Sequence, residues 1–348
     1  MFAIGAVLCL LAAVTRFVNL GDVTAFVAAG IAIAVLALLV GVAVDQIADR
    51  LGAGATGVLQ SALGNLPELF IAIFALRQGL ITVVQAAVVG SVLANLLLVL
   101  GLSFVVGGLK NGRQRFSSDR ARMITVSMVL AVGALVVPSL ASFVHTPASH
   151  HERALSVVTS IALLIVFALS VPASVGRDAS EVASGDREGA IEAGPRWPIA
   201  VAVALLAITG VLAAVVSDWF VRALTPAMAS LQISNAFAGL VIVAIAGNAV
   251  ENVVGIQLAA RNQADHALSV ILNSPLQIAL VLAPVLVLIS PLVGGAAFTL
   301  VFPPLLIVAL VISVLIIAVV ILDGESNWLE GSALIGLYVV IAASFWWG

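Results

Sequence analysis

Long apolar stretches, broken by Gly, Pro and short charged clusters, run along the whole chain. They predict helices near 3–19, 23–45, 54–77, 81–107, 121–143, 153–175, 197–217, 235–261, 265–290, 297–322 and 329–347. Runs of this length match the ~20 residues that cross ~30 Å of hydrocarbon at ~1.5 Å per residue. The expected fold is therefore an all-α polytopic membrane protein of about eleven transmembrane helices. The first run, Phe2 to Val14, lacks a basic leader and is followed by Arg16 and further spans, so it reads as a retained helix rather than a secretory signal.

Polar positions inside those apolar runs recur in a pattern. The third helix carries Gly64-Asn65-Leu66-Pro67-Glu68 and the eighth carries Gly247-Asn248-Ala249-Val250-Glu251, both G-N-x-x-E. Ser91 follows Glu68 by 23 residues (91 − 68) and Ser274 follows Glu251 by 23 (274 − 251), so the spacing repeats along with the motif. Asn95 and Gln277 follow those serines at offsets that differ by one. The two helices stand five places apart in the order (8 − 3), so they cross in opposite directions and the halves are inverted. Secondary transporters with inverted repeats build a midplane site from interrupted helices at matching positions.

The one long hydrophilic stretch, 176–196, is rich in Gly, Ala and Ser and carries Asp178, Glu181, Asp186, Glu188 and Glu192. Its composition cannot bury a core, which makes it a linker. The expected organisation is an extra helix within 1–22, a first five-helix repeat at 23–175, an acidic cytoplasmic linker at 176–196 and a second five-helix repeat at 197–348. Of the 14 lysines and arginines, ten fall on the N-terminal side of the membrane and four on the other. This bias puts the N-terminus in the cytoplasm and the C-terminus outside.

Composition narrows the function classes. The chain is 63% hydrophobic and 9% charged with a net charge of −3, which gives no reason to expect a nucleic-acid partner. Cys9 is the single cysteine, so there is neither an internal disulfide nor a thiolate metal cluster. No H-E-x-x-H occurs, His150-His151-Glu152 has the wrong spacing, and neither carboxylate motif supplies a nucleophile with a base, so no enzyme activity and no tightly bound cofactor are expected.

A carboxylate in the middle of a spanning helix costs ~2.5–3.5 kcal/mol on insertion scales and normally faces a cavity and a partner. Glu68 and Glu251 both stand deep in their helices. Pro67 and Pro275 lack amide hydrogens and should free the Leu63 and Ile271 carbonyls, while Gly64 and Gly247 allow bending. Glu68, Glu251, Asn65, Asn95, Asn248, Gln277, Ser91 and Ser274 make an all-oxygen set suited to a hard cation such as Ca²⁺. Cation and proton then compete for Glu68 and Glu251, because a poorly hydrated site disfavours the bare carboxylate and a bound cation favours it. If access changes only when the site is loaded, exchange follows. The substrates expected are thus cations and protons, with the lipid bilayer as solvent and the oligomeric state left open.

Elsewhere the polar residues read plainly. Asp45 and Asp218 are taken as solvated helix ends, His145, His150 and His151 as solvated residues of an outward loop, and Asp323 with Glu325 as too irregular for an EF-hand.

At these residues the chain resembles the Ca²⁺/H⁺ exchanger branch of the calcium/cation antiporter superfamily. The resemblance rests on Gly64 to Gly79, on Gly90-Ser91 through Asn95 to Gly101, on Gly247 to Glu251, and on the tail from Asp323 to Gly331. It implies an antiporter of a prokaryotic cell membrane in which Glu68 and Glu251 coordinate the metal, helped by neighbouring Asn, Ser and Gln groups. Three positions depart from the family pattern: Leu66-Pro67 where it commonly has Ala-Thr, Asn252 where it has histidine, and Asn273 where it has glycine. Sodium or potassium exchange at the same site, and a passive cation channel, stay open as alternatives.

Overall fold

The computed structural model describes residues 2–18, 20–48, 50, 59–60, 63–184, 197–295 and 297–347, without the side chains of 172–184. The start of the expected third helix and residues 185–196 of the expected linker lie outside them. The described part is almost entirely helical: α1 Phe2–Phe17, α2 Asp22–Ala48, α3 Leu66–Arg77, α4 Ile81–Asn111, α5 Ser118–Phe143, α6 Glu152–Ser184, α7 Ile199–Leu231, α8 Asn235–Gly247, α9 Ala249–Ala260, α10 Ala264–Val293, α11 Pro304–Val320 and α12 Trp328–Ser344. Among the described residues six helices are long and apolar enough to cross a membrane, or seven if α8 and α9 form one bent span. The shorter α1, α11 and α12 are also apolar. Large apolar side chains such as Leu10, Leu130, Val211, Leu315 and Val340 lie on the outer surface, while Glu68, Asn95 and Asn248 are buried. That inversion of the soluble pattern belongs to a protein solvated by lipid.

Helix–helix approach depends on small residues. A Cβ on Gly90 of α4 would stand 2.3 Å from the Leu240 carbonyl of α8, and one on Gly239 would stand 2.3 Å from the Val83 carbonyl of α4. The two backbones cross in near contact, bringing the Ser91 end of α4 against α8. Likewise Gly101 of α4 and Gly331 of α12 face each other's carbonyls at 2.8 and 2.5 Å from the missing Cβ positions. Between α2 and α7, Phe26 stacks on Phe220 at 4.8 Å.

Several elements differ from the sequence expectation. Helix α7 does not end near 217 but runs to Leu231, because Phe220, Val221 and Leu224 continue its buried face. Asp218 is thus inside a helix and pairs with Arg222 one turn on at 2.7 Å. Asp45 is also inside its helix, and its Oδ1 accepts from Gln60 at 3.1 Å. Helix α6 continues to Ser184 rather than ending near 175. The helix expected from 297 begins only at Pro304, since Pro303 and Pro304 force the residues before them out of the helical region.

The displaced segment 297–303 is extended and buried, with Phe298, Leu300 and Phe302 in the core. Its amides would be orphaned there, and hydroxyls satisfy them. Phe298 N donates to Ser290 Oγ at 2.9 Å, Leu300 N to Ser156 Oγ at 3.0 Å and Phe302 N to Ser139 Oγ at 2.9 Å. Gln85 Nε2 donates to the Val301 carbonyl at 2.6 Å. Non-helical backbone is tolerated in a membrane protein only when partnered in this way.

A short antiparallel pair, β1 Gln114–Arg115 with β2 Glu325–Ser326, ties the loop after α4 to the loop before α12. Glu325 there accepts from Arg113 at 2.9 Å and Arg115 at 3.1 Å, so it is engaged in ion pairs.

Candidate functional site

Both G-N-x-x-E motifs break their helices at the asparagine, in nearly the same way. Asn65 has φ −91°, ψ 17° and Asn248 has φ −93°, ψ 27°. Each is followed by a new helix, α3 or α9, whose first turn carries the glutamate. In the first motif Pro67 sits within the first two helical positions, where its missing N–H costs nothing. The second motif has no proline and still bends by 63° between α8 and α9. The Asn248 side chain supports that break by donating from Nδ2 to the Ala244 carbonyl at 2.8 Å. At the far ends the correspondence continues, with Leu80 (φ −82°, ψ 53°) and Gln263 (φ −107°, ψ 59°) leading into α4 and α10. Each of these two helices has a π-helical stretch after its serine, Ala94–Val99 and Ile278–Leu282.

Five of the eight expected residues form one hydrogen-bonded cluster. Glu68 Oε1 accepts from Ser91 Oγ at 2.6 Å and from Asn248 Nδ2 at 2.5 Å. Asn248 Nδ2 also lies 2.9 Å from Ser91 Oγ. On its other side, Asn248 Oδ1 accepts from Asn95 Nδ2 at 2.7 Å and from Ser274 Oγ at 3.3 Å. Asn95 is anchored to its own helix through the Ser91 carbonyl at 2.9 Å. Helices α3, α4 and α10 thus converge on Asn248 at the α8–α9 junction.

Two oxygens in this cluster are buried without a hydrogen-bond partner: Glu68 Oε2 and Asn95 Oδ1. A buried unsatisfied acceptor costs ~1–3 kcal/mol, more when charged. Native proteins keep such groups sparingly and for a reason. Beside Glu68 lies a cavity of ≈ 20 Å³ whose other walls include Ile71, Ala72, Val84, Ser91 and Val243. That is room for about one small particle.

The other three expected residues stand apart. Asn65 Nδ2 and Gln277 Oε1 face each other at 3.5 Å, the outer limit of a hydrogen bond. Glu251, half-buried one turn beyond the break, makes no hydrogen bond in the cluster but lies near enough for its carboxylate to repel that of Glu68. The two motifs therefore share a local backbone and differ in their contacts. A Cβ on Gly247 would meet Glu68 Cγ at 2.4 Å and Oε1 at 2.9 Å, whereas one on Gly64 would meet the Gln60 carbonyl of its own segment at 2.5 Å. Gly247 is the clearance that admits Glu68, a role hidden from the sequence because it depends on a contact across 179 positions (247 − 68). Asn252, next to Glu251, also has a buried Oδ1 with no partner.

Among the described residues no group of three or more His, Cys, Asp and Glu could hold a metal. A cation here must be held by carboxylate together with neutral amide, hydroxyl and carbonyl oxygens, which is the chemistry of hard ions.

The profile of the sodium/calcium exchanger protein family matches residues 22–176 and 201–347. A protein of Aphanothece halophytica named Ca(2+)/H(+) antiporter is 37% identical over 339 residues, covering 93% of this chain and 90% of that one. One of the same name from Synechocystis sp. is 34% identical over 362 residues, covering 99% and 96%. The solved structure of native YfkE superposes with a TM-score of 0.84 at 31% identity, covering 99% of both chains.

Proposed function

The chain belongs to the sodium/calcium exchanger protein family, and on that premise we propose that it is a secondary antiporter exchanging Ca²⁺ for H⁺ by alternating access. The observation that carries the reading is the buried Glu68 carboxylate at the α8–α9 break, one oxygen held by two donors and the other buried without a partner. The names of the relatives supply the ion pair.

Ca²⁺ takes about six to eight oxygens at ~2.3–2.6 Å. Glu68, Glu251, Ser91, Ser274 and the amide oxygens of Asn65, Asn95, Asn248 and Gln277 supply the proposed set. The Ser91 hydroxyl rotates from donor to acceptor without moving its helix. Asn248 turns its carbonyl from Asn95 toward the ion, or flips its amide, and releases Glu68 Oε1. Protonation of Glu68 removes the charge that holds the ion. Proton and Ca²⁺ are then mutually exclusive at the same oxygens, and each drives the other across when only loaded forms change access.

The finer architecture follows the same reading: eleven spans, an extra first helix and two inverted five-helix halves, with the N-terminus cytoplasmic and the C-terminus outside. Matched backbone at Asn65 and Asn248 supports the halves. So does the grouping of β1 with β2 at one end of the bundle. At the other end Ser234 bonds to the Phe345 and Trp346 carbonyls.

The test is proton movement out of sealed, electrically shunted vesicles carrying the purified chain, on external addition of Ca²⁺, Na⁺ or K⁺. Ca²⁺ should drive it, and Glu68→Gln and Glu251→Gln should each abolish it. A response to Na⁺ or K⁺ without one to Ca²⁺ refutes the calcium assignment, and wild-type transport by both variants refutes the site.

A further inference from the structure

We propose that the groove between α5 and α11 binds one anionic phospholipid, its phosphate at Arg122 and one acyl chain lying along Val126 and Leu130. The groove has a volume of ≈ 200 Å³ and is walled by Arg122, Thr125, Val126 and Leu130 of α5 with Ala318 of α11 and Leu322 just beyond it. Leu130 is 69% exposed, so the groove opens on the outer surface of the helical bundle, where lipid is the solvent.

Three features separate it from an ordinary furrow filled by any lipid tail. Arg122 is exposed at one end, and among the described residues it enters no ion pair. Asp119 and Asp323 are the nearest acids along the two chain segments, and Asp323 Oδ1 is occupied by the Glu325 amide at 3.1 Å. Secondly, Thr125 stands three residues after Arg122 on the same helical face, only 4% exposed, and its Oγ1 has no partner. Hydroxyls in spanning helices normally bond back to their own backbone. Thr209 does so to the Leu205 carbonyl at 2.7 Å, and Ser313 to the Ala309 carbonyl at 2.7 Å. Thr125 does not; Ser103, Ser160 and Ser217 also lack a partner, but Thr125 lines the lipid-facing groove, where a χ1 rotation of its covered Oγ1 presents the O–H to a phosphate or ester oxygen that hydrocarbon cannot supply. Thirdly, the distance fits. Arg122 to Leu130 is about 12 Å of helix axis at ~1.5 Å per residue. That keeps the groove within one leaflet of a ~30 Å hydrocarbon core.

A guanidinium matches a phosphate diester in charge and geometry, and an anionic headgroup adds to the attraction. Commitment to a lipid, rather than a soluble phosphate, rests on the apolar length of the groove below the arginine.

The test uses the full chain in phosphatidylcholine vesicles containing a trace of spin-labelled phosphatidylglycerol or phosphatidylcholine. Relative association with the protein is read from the immobilised fraction. Phosphatidylglycerol should be favoured about fivefold, from ~1 kcal/mol for a basic residue near the surface. Arg122→Gln should bring that preference close to one, and Arg16→Gln, on α1 outside the groove, should leave it intact. Ala318→Trp fills the groove without touching charge and should also remove it. Thr125→Val, nearly isosteric, should weaken association of both labels. Thermal unfolding shows that each variant is folded. Equal binding of both lipids by the wild type, or an unchanged preference in Arg122→Gln, overturns the site. Loss in Arg122→Gln with retention in Ala318→Trp identifies diffuse charge attraction and overturns the groove. Displacement by soluble glycerophosphoglycerol at comparable concentration overturns the part assigned to the acyl chain.

Discussion

Replacing Gly247 by alanine tests the site through a residue that carries no charge of its own. The added Cβ would lie 2.4 Å from Glu68 Cγ and 2.9 Å from Oε1, both inside contact distance. Relief requires the Glu68 side chain to retreat by about 1 Å, since carbon atoms settle at ~3.5–4.0 Å. Retreat stretches the hydrogen bonds from Asn248 at 2.5 Å and Ser91 at 2.6 Å, both made to a carboxylate oxygen. Bonds to charged groups contribute ~1.5–3 kcal/mol each. Those donors hold the empty site; the loaded site suffers because a carboxylate displaced by about 1 Å misses the ~2.3–2.6 Å ligand distance of Ca²⁺, and loss of an interaction of that size weakens loading by about ten- to a hundredfold, at ~1.4 kcal/mol per factor of ten. Global stability should change much less. Overpacking costs ~1–3 kcal/mol, and alanine in a helix recovers ~1 kcal/mol over glycine. The assay is the Ca²⁺ concentration giving half-maximal proton movement in vesicles, alongside thermal unfolding in detergent. Gly64→Ala is the control, because its Cβ meets the Gln60 carbonyl and no carboxylate. A Gly247→Ala protein with wild-type half-maximal Ca²⁺ would refute the placement of Glu68 against the break.

Ser91→Ala removes a proposed oxygen ligand of the loaded site and should raise half-maximal Ca²⁺ by roughly tenfold or more; isothermal titration with Ca²⁺ reads this directly. Ser156→Ala leaves the Leu300 amide buried and unpaired, which should lower stability by ~1–3 kcal/mol, seen as a lower unfolding temperature. Gly331→Ala drives a Cβ to 2.5 Å from the Gly101 carbonyl. Separation of α4 from α12 should cost ~1–3 kcal/mol on the same thermal assay, and an unchanged midpoint would contradict the close packing.

The long apolar helices were legible in the sequence because lipid leaves the backbone little choice and apolar length reports it directly. The paired motif was equally plain, since the 23-residue spacing from glutamate to serine recurs after both G-N-x-x-E motifs. The bend at Asn248 was harder to read. Proline marks the break in the first motif, but in the second the asparagine side chain takes the Ala244 carbonyl, and that needs no breaker residue. The extension of α7 through Asp218 was missed because two charges one turn apart look like a loop and instead satisfy each other. The Pro303-Pro304 pair was read through as helix from 297, although two prolines there disfavour the helical region before them. What holds the extended segment could not be read, because Ser139, Ser156 and Ser290 are distant in sequence and look like ordinary helix polar residues. Convergence on Asn248 rather than equally on both glutamates was likewise invisible, as a duplicated motif suggests equal partners.

The serine-held segment has a mechanical consequence. Its amides are gripped by hydroxyls from α5, α6 and α10, and its Val301 carbonyl by Gln85 of α4. One short extended stretch therefore works as a strap buckled to four helices at once. None of the four can tilt at that end without straining a bond that hydrocarbon offers no means to replace. Four separate rods are thereby bound into a single stiff frame, and any passage that opens at that face must open along the frame's edge rather than through it.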